Sequence, residues 1–424
     1  MVGSMASSFS ILTSPKQKNS PSIDAVLGND DLVTEILLRV PPKAVLRFKL
    51  VSKKWLSIIS NTSFATRHTH LNPHTVSALL LRVSFSSKEP PTHKYVSLDG
   101  KSLAYFSYDF LDFDPSNNPG CIYVSQSCNG LLLCSKCRRD LPERSQPINY
   151  IFNPTTRQFA VLPPPPDDGQ FFDSIQLVFD PSESSCYRVV CTQFFTSELK
   201  IYVFSSETKD WKLCVSQESF DFLPVNFADG VFWNGAVHWI SPMGNGFSFL
   251  LDKECLETIP RPPLPENWQE QNFRYFGESD RHLHFIGVLA GNPNPDDLNR
   301  GIVTPDMSHD QSTDQSIVVY TMERGFSKWF VKYCLHMNAI VMAYPEITED
   351  EDLAASPFSA EKGSVRLLSF IGGDNNEGPL LVMWILGEII SFCFKDKTFK
   401  KILRLPFKHA TCYALNYTET LSCV

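Results

Sequence analysis

The sequence predicts an α+β multidomain protein, in which a small N-terminal helical unit precedes a larger all-β, propeller-like domain of about six blades. Three observations predict this class. Apolar residues recur at helical spacing near the N-terminus. Strand-like segments separated by turns recur along the rest of the chain. The 32 Phe and 30 Pro among 424 residues favour short strands and frequent turns.

The first helix is predicted to begin at residues 29–31. Asn29 is a good N-cap residue, and Asp31 lies close to the positive end of the helix dipole. Apolar residues then occupy almost every side of this short helix: Leu32, Val33, Ile36, Leu37, Leu38 and Val40. A short helix in a small domain cannot bury every side against itself, so a partner is expected to cover one of them.

A single second helix is expected after Pro41-Pro42, because proline lacks an N–H and ends the preceding helix. One apolar stripe runs through this second helix at spacings of four and three residues: Ala44, Phe48, Val51, Trp55 and Ile58. Leu46 and Leu50 form a separate row. The pattern therefore predicts a helical pair between residues 29 and 58.

The charge is distributed unevenly along the chain. The net charge is −8, yet no Asp or Glu occurs between Ile36 and Lys88. This stretch carries nine basic residues: Arg39, Lys43, Arg47, Lys49, Lys53, Lys54, Arg67, Arg82 and Lys88. A basic segment in an acidic protein indicates a separate partner at that place, most simply an acidic one.

Residues 30–43 and 46–55 closely resemble the F-box, through the pattern D-L-x-x-E-I-L-x-R-φ-P and the later R-F-K-x-V-S-K-x-W. The resemblance implies docking on the acidic Skp-type adaptor of a Skp–cullin–F-box ubiquitin ligase, and through that adaptor on cullin. The residues expected to bind the adaptor are Leu32, Ile36, Pro41, Leu46, Leu50, Val51 and Trp55.

One position departs from the F-box pattern. The family usually has Leu-Pro just before the first helix, whereas this chain has Leu27-Gly28-Asn29, so weaker docking is expected at that edge. Two other interpretations of the helical pair stay open: a structural cap on the large domain, and a helix-turn-helix that binds DNA. The Pro-Pro turn and the apolar excess of the first helix argue against DNA.

A strand–turn–aromatic signature repeats after the helical pair. It occurs at residues 150–159 and 201–211, and weaker copies end at Leu256, Trp329 and Phe399. Without the long polar stretches, about 291–316 and 346–362, the period is about 45 to 55 residues, as in four-stranded propeller blades. The repeat therefore predicts a propeller, closed by pairing of its two ends.

These repeats resemble the F-box-associated domain of a large plant F-box family, which is itself similar to kelch propellers. The resemblance lies in residues 128–133, in Asn153-Pro154-Thr155-Thr156-Arg157 with Leu162-Pro163, and in residues 230–239. The two resemblances together imply an F-box at residues 23–70 and the propeller at 71–424. Residues 1–22 have no periodicity and are expected to form a disordered tail.

The function expected from both resemblances is that of a substrate-recognition subunit of the ligase, non-catalytic and without a cofactor. The expected target is an unknown protein held by the propeller, with a glycan or a small molecule as open alternatives, and the polar stretches at 291–316 and 346–362 are candidates to bind it. The alternative is an F-box propeller protein that binds a partner without promoting its ubiquitination. A propeller enzyme is disfavoured because no P-loop, nucleophile elbow or H-E-x-x-H motif occurs.

Other chemistry is weakly indicated. The C-x-x-C of Cys134 and Cys137 has no second pair at zinc-site spacing, so free thiols in a reducing compartment are expected. The histidine cluster at 68–74 lacks nearby Cys or carboxylate ligands. The longest apolar run, 380–386, is too short to cross a bilayer. We expect no metal, nucleic acid or membrane partner, and a location in the cytoplasm and/or nucleus.

Overall fold

A computed structural model of the chain describes residues 21–72, 76–84, 91–98, 121–137, 147–166, 172–218, 225–300, 315–322, 328–348, 365–373, 378–405 and 411–424. In these residues, five helices precede the first strand and two more lie between later strands. Their bounds are α1 Pro21–Gly28, α2 Asp30–Leu37, α3 Pro42–Phe48, α4 Lys53–Ile59, α5 Thr62–Leu71, α6 Pro295–Asn299 and α7 Met337–Ala343.

The sequence correctly locates the start of α2. The Asn29 side chain accepts hydrogen bonds from the backbone N–H groups of Asp31 and Leu32, at 2.9 and 3.2 Å. It thereby satisfies two of the N–H groups that a helix start leaves unpaired. The helix ends at Leu37, and Pro42 opens α3 at a position where its missing N–H is not needed.

The expectation of a single second helix is wrong. The chain forms α3 and α4 with a turn at residues 49–52 between them. Ser52 adopts an extended conformation, with φ −161° and ψ 161°, and its side chain accepts the N–H of Trp55 at 3.2 Å. A serine at an N-cap starts a new helix, so the apolar stripe crosses a helix boundary. Helix α1 begins at Pro21, inside the expected tail, and residues 1–20 lie outside the described part of the chain.

The rest of the described chain forms six antiparallel sheets arranged as propeller blades, which confirms the predicted architecture. The strand bounds are β1 Ala78–Ser84, β2 Thr92–Ser97, β3 Cys121–Cys128, β4 Leu131–Cys137, β5 Ile148–Asn153, β6 Gln158–Val161, β7 Ser174–Val178, β8 Arg188–Phe195, β9 Glu198–Ser205, β10 Asp210–Gln217, β11 Val231–Trp233, β12 Ala236–Ile240, β13 Gly246–Leu250, β14 Cys255–Ile259, β15 Phe273–Ser279, β16 His282–Ala290, β17 Gln315–Met322, β18 Phe330–His336, β19 Val365–Ile371, β20 Leu380–Ile385, β21 Glu388–Cys393, β22 Phe399–Arg404 and β23 Thr411–Tyr417.

Five sheets hold four consecutive strands each: β3–β6, β7–β10, β11–β14, β15–β18 and β19–β22. The sixth has the order β2-β1-β23, in which the last strand of the chain pairs with the first. Ala78 lies opposite Tyr417 and Ser84 lies opposite Thr411 in this antiparallel pair. The two ends of the chain therefore close the ring, as the sequence predicted.

The repeated strand–turn–aromatic signature corresponds to the third and fourth strands of a blade. Each of the five copies coincides with one hairpin: β5–β6, β9–β10, β13–β14, β17–β18 and β21–β22. Four of these turns have a residue with positive φ at or next to their last position, just before the fourth strand: Arg157, Lys209, Glu254 and Lys397. Asn129-Gly130 forms the two-residue turn between β3 and β4, with φ 45° and 90°, as a type I′ hairpin requires.

Tryptophan side chains connect neighbouring blades. Trp211 in β10 donates its indole N–H to the Pro163 carbonyl, which follows β6, at 3.1 Å. Trp329, just before β18, donates to the Pro260 carbonyl, which follows β14, at 2.7 Å. Each bond joins the start of a fourth strand to the end of the preceding blade. Trp239 is fully buried and donates to the Phe227 carbonyl, so these tryptophans contribute to packing.

The innermost strands of successive blades are also tied by polar side chains. Gln126 of β3 donates to the Leu177 carbonyl of β7 at 3.1 Å and accepts the Leu177 N–H at 2.5 Å. Ser279 at the end of β15 accepts the N–H of Gly372, just after β19, at 2.7 Å. Asn416 of β23 donates to the Phe370 carbonyl of β19 at 3.0 Å. The first strands therefore end together on one face of the ring.

Two glycines with the same turn geometry offer a matched test of crowding at this face. A Cβ at Gly130 would lie 2.5 Å from a Thr420 side-chain carbon and 2.7 Å from the Thr418 carbonyl oxygen, whereas a Cβ at Gly235 would meet nothing within 4 Å. Both glycines have positive φ. Gly130→Ala should destabilise the protein by about 1–3 kcal/mol more than Gly235→Ala, measured by chemical unfolding. Equal losses would show that only the backbone conformation matters at residue 130.

Candidate functional site

The helices α2–α5 pack around a small apolar core. Its fully buried side chains are Val33, Leu37, Leu38, Val45, Ile59 and Phe64, and Leu421 from the C-terminal end of the chain joins them. Val33, Leu37 and Leu38 therefore form the inner side of the helix that the sequence shows as apolar almost all round. The core fixes which residues of that helix are left for another molecule.

The opposite side of α2 is exposed, and so is the turn between α3 and α4. Leu32 is 46% exposed, Ile36 53%, Val51 59% and Leu50 91%. Large apolar side chains with this exposure bury little surface when the chain folds. They gain further hydrophobic free energy only when a partner covers them. These four residues and two further exposed leucines, Leu27 and Leu56, are named the docking face.

The structure divides the seven residues expected to bind the adaptor into two groups. Leu32, Ile36, Leu50 and Val51 belong to the docking face, and Pro41 is exposed at the start of α3. Leu46 and Trp55 are half-buried against the helical core. The Trp55 ring meets the Phe48 ring edge to face, with centroids 5.4 Å apart. A truncation of either residue would therefore disturb the packing of the helical core.

Sequence reasoning missed Leu27 and Leu56, which are 43% and 45% exposed. Leu27 lies in α1, which no sequence pattern indicated. Lys54 donates to the carbonyls of Leu27 and Gly28, both at 3.0 Å, and so joins α4 to the end of α1. This is the edge at which the chain lacks the usual Leu-Pro of the family, and a leucine is nevertheless exposed there.

Charged side chains around the docking face fall into paired and unpaired groups. Glu35 meets Arg39 at 2.9 Å and Arg67 at 2.6 Å, and the hydrogen bond from Arg39 is the main reason that the pKa of Glu35 is lowered. Lys54 pairs with Asp30. By contrast, three cations close to Leu50 in sequence form no ion pair within the described ranges: Arg47, Lys49 and Lys53. The apolar face therefore has a basic rim.

Helix α5 is held to the chain before α3 by polar contacts. His68 is buried and donates Nε2–H to the Val40 carbonyl at 2.7 Å, while burial lowers its pKa and keeps the ring neutral. Asn72 donates to the Leu38 carbonyl at 2.8 Å. Two backbone carbonyls between α2 and α3, those of Leu38 and Val40, are thereby satisfied by side chains of α5 and its C-cap.

Two buried histidines of the propeller, His238 and His284, have structural partners. His238 contacts the Ser248 hydroxyl at 2.6 Å and donates to the Trp233 carbonyl at 3.0 Å, and burial lowers its pKa to about 4. His284 contacts the Thr321 hydroxyl and the Ser279 carbonyl, and burial lowers its pKa to about 3. Both rings are neutral at pH 7, with both nitrogens occupied, so neither is placed to accept a proton from a substrate.

Within the described ranges, no group of three or more His, Cys, Asp or Glu residues is placed to hold a metal ion. Cys134 of the C-x-x-C is fully buried, and burial raises the pKa of its thiol well above the usual range. His74 lies outside the described residues. No helix in the described part of the chain is long and apolar enough to cross a membrane.

The long insertions leave the ring on the face opposite the helices. The first strands end at the face that carries residues 418–424, so the antiparallel second and fourth strands end at the other face. Helix α6 follows the second strand β16, and α7 follows the fourth strand β18. Both expected target-binding stretches begin there, although residues 301–314 and 349–362 lie outside the described ones. Met342 of α7 is 83% exposed.

Two family models match the chain. The F-box domain matches residues 29–67, which cover α2, α3, α4 and most of α5. The F-box associated beta propeller domain matches residues 80–273. The chain therefore belongs to the class of proteins that join a small helical domain to a β-propeller. Specifically, the chain carries an F-box domain followed by an F-box-associated β-propeller domain, and its relatives are F-box proteins.

The similar proteins come from Arabidopsis thaliana. The F-box protein At5g07610 is 28% identical over 411 residues, which cover 91% of this chain and 87% of that protein. The F-box protein At5g49610 is 28% identical over 279 residues, which cover 61% and 71%. Among solved structures, TolB from Acinetobacter baumannii aligns at 11% identity with a TM-score of 0.39, over 86% of this chain and 73% of that chain.

The division between core and docking face predicts that two leucine truncations change the stability of the helical domain by very different amounts. Leu37→Ala should lower the free energy of unfolding of the helical domain by about 2–5 kcal/mol, because Leu37 is 1% exposed. Leu50→Ala should change it by less than about 0.5 kcal/mol. Amide exchange of α2–α5 under increasing denaturant measures both. A large loss for Leu50→Ala would mean that Leu50 belongs to the core.

Proposed function

We propose that the protein is the substrate-recognition subunit of a Skp–cullin–F-box ubiquitin ligase. It docks the Skp-type adaptor through the docking face and a target protein through the propeller. The observation that carries this proposal is the exposure of Leu32, Ile36, Leu50 and Val51 on the outer side of helices whose inner side forms a closed core. The F-box match to residues 29–67 supports the same role.

The composition of the docking face suits an acidic partner with an apolar groove. Apolar area removed from water in an interface is favourable by roughly 25 cal/mol per Å², and this gain offsets the entropy cost of association. The rim cations Arg47, Lys49 and Lys53 would attract an acidic surface and orient its approach. The adaptor that F-box proteins bind is acidic. The apolar side chains of the docking face would therefore supply the affinity, and the rim cations would steer the adaptor towards the face.

The propeller would hold the target on the face opposite the F-box. The insertions with α6 and α7 leave the ring at that face, and loops on a rigid scaffold commonly carry binding residues. In such an arrangement the protein does no bond chemistry. It keeps target lysines near a ubiquitin-charged enzyme, so that an encounter in solution becomes a local one.

Leu50 provides the sharpest test of adaptor docking. Leu50→Ala should weaken the affinity for a purified Skp-type adaptor by about 5- to 150-fold, or about 1–3 kcal/mol, while the chain stays folded. Met342→Ala is the matched control, because Met342 is equally apolar and exposed but lies on the propeller. Calorimetric titration of both variants measures the difference. Unchanged affinity for Leu50→Ala would remove this turn from the docking face.

A purified ligase separates the two possible roles of an adaptor-bound chain. With adaptor, cullin, RING subunit, and activating and conjugating enzymes present, the chain should acquire ubiquitin on its own lysines, because it is held close to the charged enzyme. Leu50→Ala should acquire at least about fivefold less. Adaptor binding without conjugates on the wild-type chain would instead favour a binding protein that does not promote ubiquitination.

A further inference from the structure

The last seven residues, Thr418–Val424, form a segment that we name the C-terminal tail. It leaves the ring after β23 and crosses the ends of β3 and β5. The buried Asn153 side chain donates both of its amide hydrogens to tail carbonyls, to Thr420 at 3.2 Å and to Ser422 at 2.7 Å. The Thr420 and Ser422 hydroxyls contact each other at 2.9 Å. The backbone of the tail is therefore fixed to the propeller.

The tail also contributes to the helical domain. Leu421 is 6% exposed and packs in the core formed by Val33, Leu37, Leu38, Val45, Ile59 and Phe64. The residues on either side of Leu421 are bound to Asn153 of the propeller, whereas its own side chain enters the F-box. The two domains are thus joined by one extended segment whose backbone belongs to one domain and whose central side chain belongs to the other.

A second set of contacts, which does not involve Leu421, also joins the F-box to the propeller. Lys43 of α3 pairs with Glu419 at 2.5 Å and donates to the Tyr95 hydroxyl of β2 at 3.1 Å. The Tyr95 ring meets the Tyr417 ring edge to face, at 6.0 Å between centroids. The Tyr417 hydroxyl contacts the Thr155 hydroxyl at 2.8 Å, in the turn between β5 and β6. These contacts oppose rotation of the F-box about Leu421.

We propose that the C-terminal tail is a clasp that completes the F-box core and fixes the docking face relative to the propeller. The F-box of this protein would then not be an independent module, because part of its core lies at the far end of the sequence. The consequence for ligase geometry rests on the proposed function. The clasp itself does not, since its contacts are made within the free chain.

Two consequences follow for binding. A docking face whose core is incomplete is populated only part of the time, and the apparent adaptor affinity falls by that fraction. Binding linkage also runs in both directions, so the adaptor should stabilise the tail as much as the tail stabilises the docking face. Leu421 acts through the F-box core and Glu419 acts through Lys43 of α3, so both are positioning residues for adaptor docking.

The test uses the full-length chain without adaptor. In Leu421→Ala, amide exchange in α2–α5 should become at least about tenfold faster, because a buried leucine is lost from a small core, while β7–β18 should exchange as in the wild type. Leu421→Met keeps volume and apolarity and should restore near wild-type exchange. Glu419→Gln should give a smaller rise of about two- to fivefold, since it removes only the partly exposed ion pair.

Adaptor titration of the same variants separates this proposal from the proposed function. If the wild type binds the adaptor, Leu421→Ala should bind it more weakly and Leu421→Met nearly as well. If no variant binds, the proposed function fails, and faster F-box exchange in Leu421→Ala still supports the clasp. Wild-type exchange in the helices of Leu421→Ala would overturn the clasp, and so would an equal increase in the helices and in β7–β18.

Discussion

The pairing of β23 with β1 is the interaction on which the remaining structure depends. It joins the last strand of the chain to the first strand of the ring, so every blade gains a neighbour on both sides. It also places the end of β23 beside the start of β1, to which helix α5 leads. The pair of β1 and β23 therefore closes the propeller and places the C-terminal tail against the F-box core.

The helical domain has a buried core on one side and exposed apolar side chains on the other. Its helices bury Val33, Leu37 and Val45 on one side and leave Leu32, Ile36 and Leu50 exposed on the other. A unit with so few core residues gains little stability by itself, because a small domain buries only a modest fraction of its surface. Leu421 adds to that core from outside, and the exposed residues remain available to a partner.

Much of the fold could be predicted from the sequence because its determinants are local. The Asn129-Gly130 turn, the Asn29 cap and the repeated hairpins all depend on residues within a few positions of one another. The division of the apolar stripe at Ser52 was missed because helical spacing continues across the short turn. Both α3 and α4 contribute to the same core, so periodicity alone did not show the boundary.

What could not be predicted depends on contacts between distant parts of the chain. Asn153 is a turn residue, and its side-chain oxygen accepts the N–H groups of Thr155 and Thr156 within the local sequence. Its bonds to the tail join residues more than 260 positions apart, and no local pattern signals them. The same holds for Leu421, which belongs to no periodic apolar pattern in the sequence. Leu46 is half-buried and Leu50 is exposed, and this difference in burial likewise depends on tertiary packing.

Amide exchange of the full-length chain, with and without a purified Skp-type adaptor, tests the assignment of the docking face most directly. Protection on adaptor binding should be confined to the helical domain, centred on α2 and on the turn at residues 49–52, and should be transmitted through Leu421 to the C-terminal tail. The strands β7–β18 should exchange at unchanged rates. Protection centred on the propeller, or none in α2 and the turn while the adaptor is bound, would contradict the assignment.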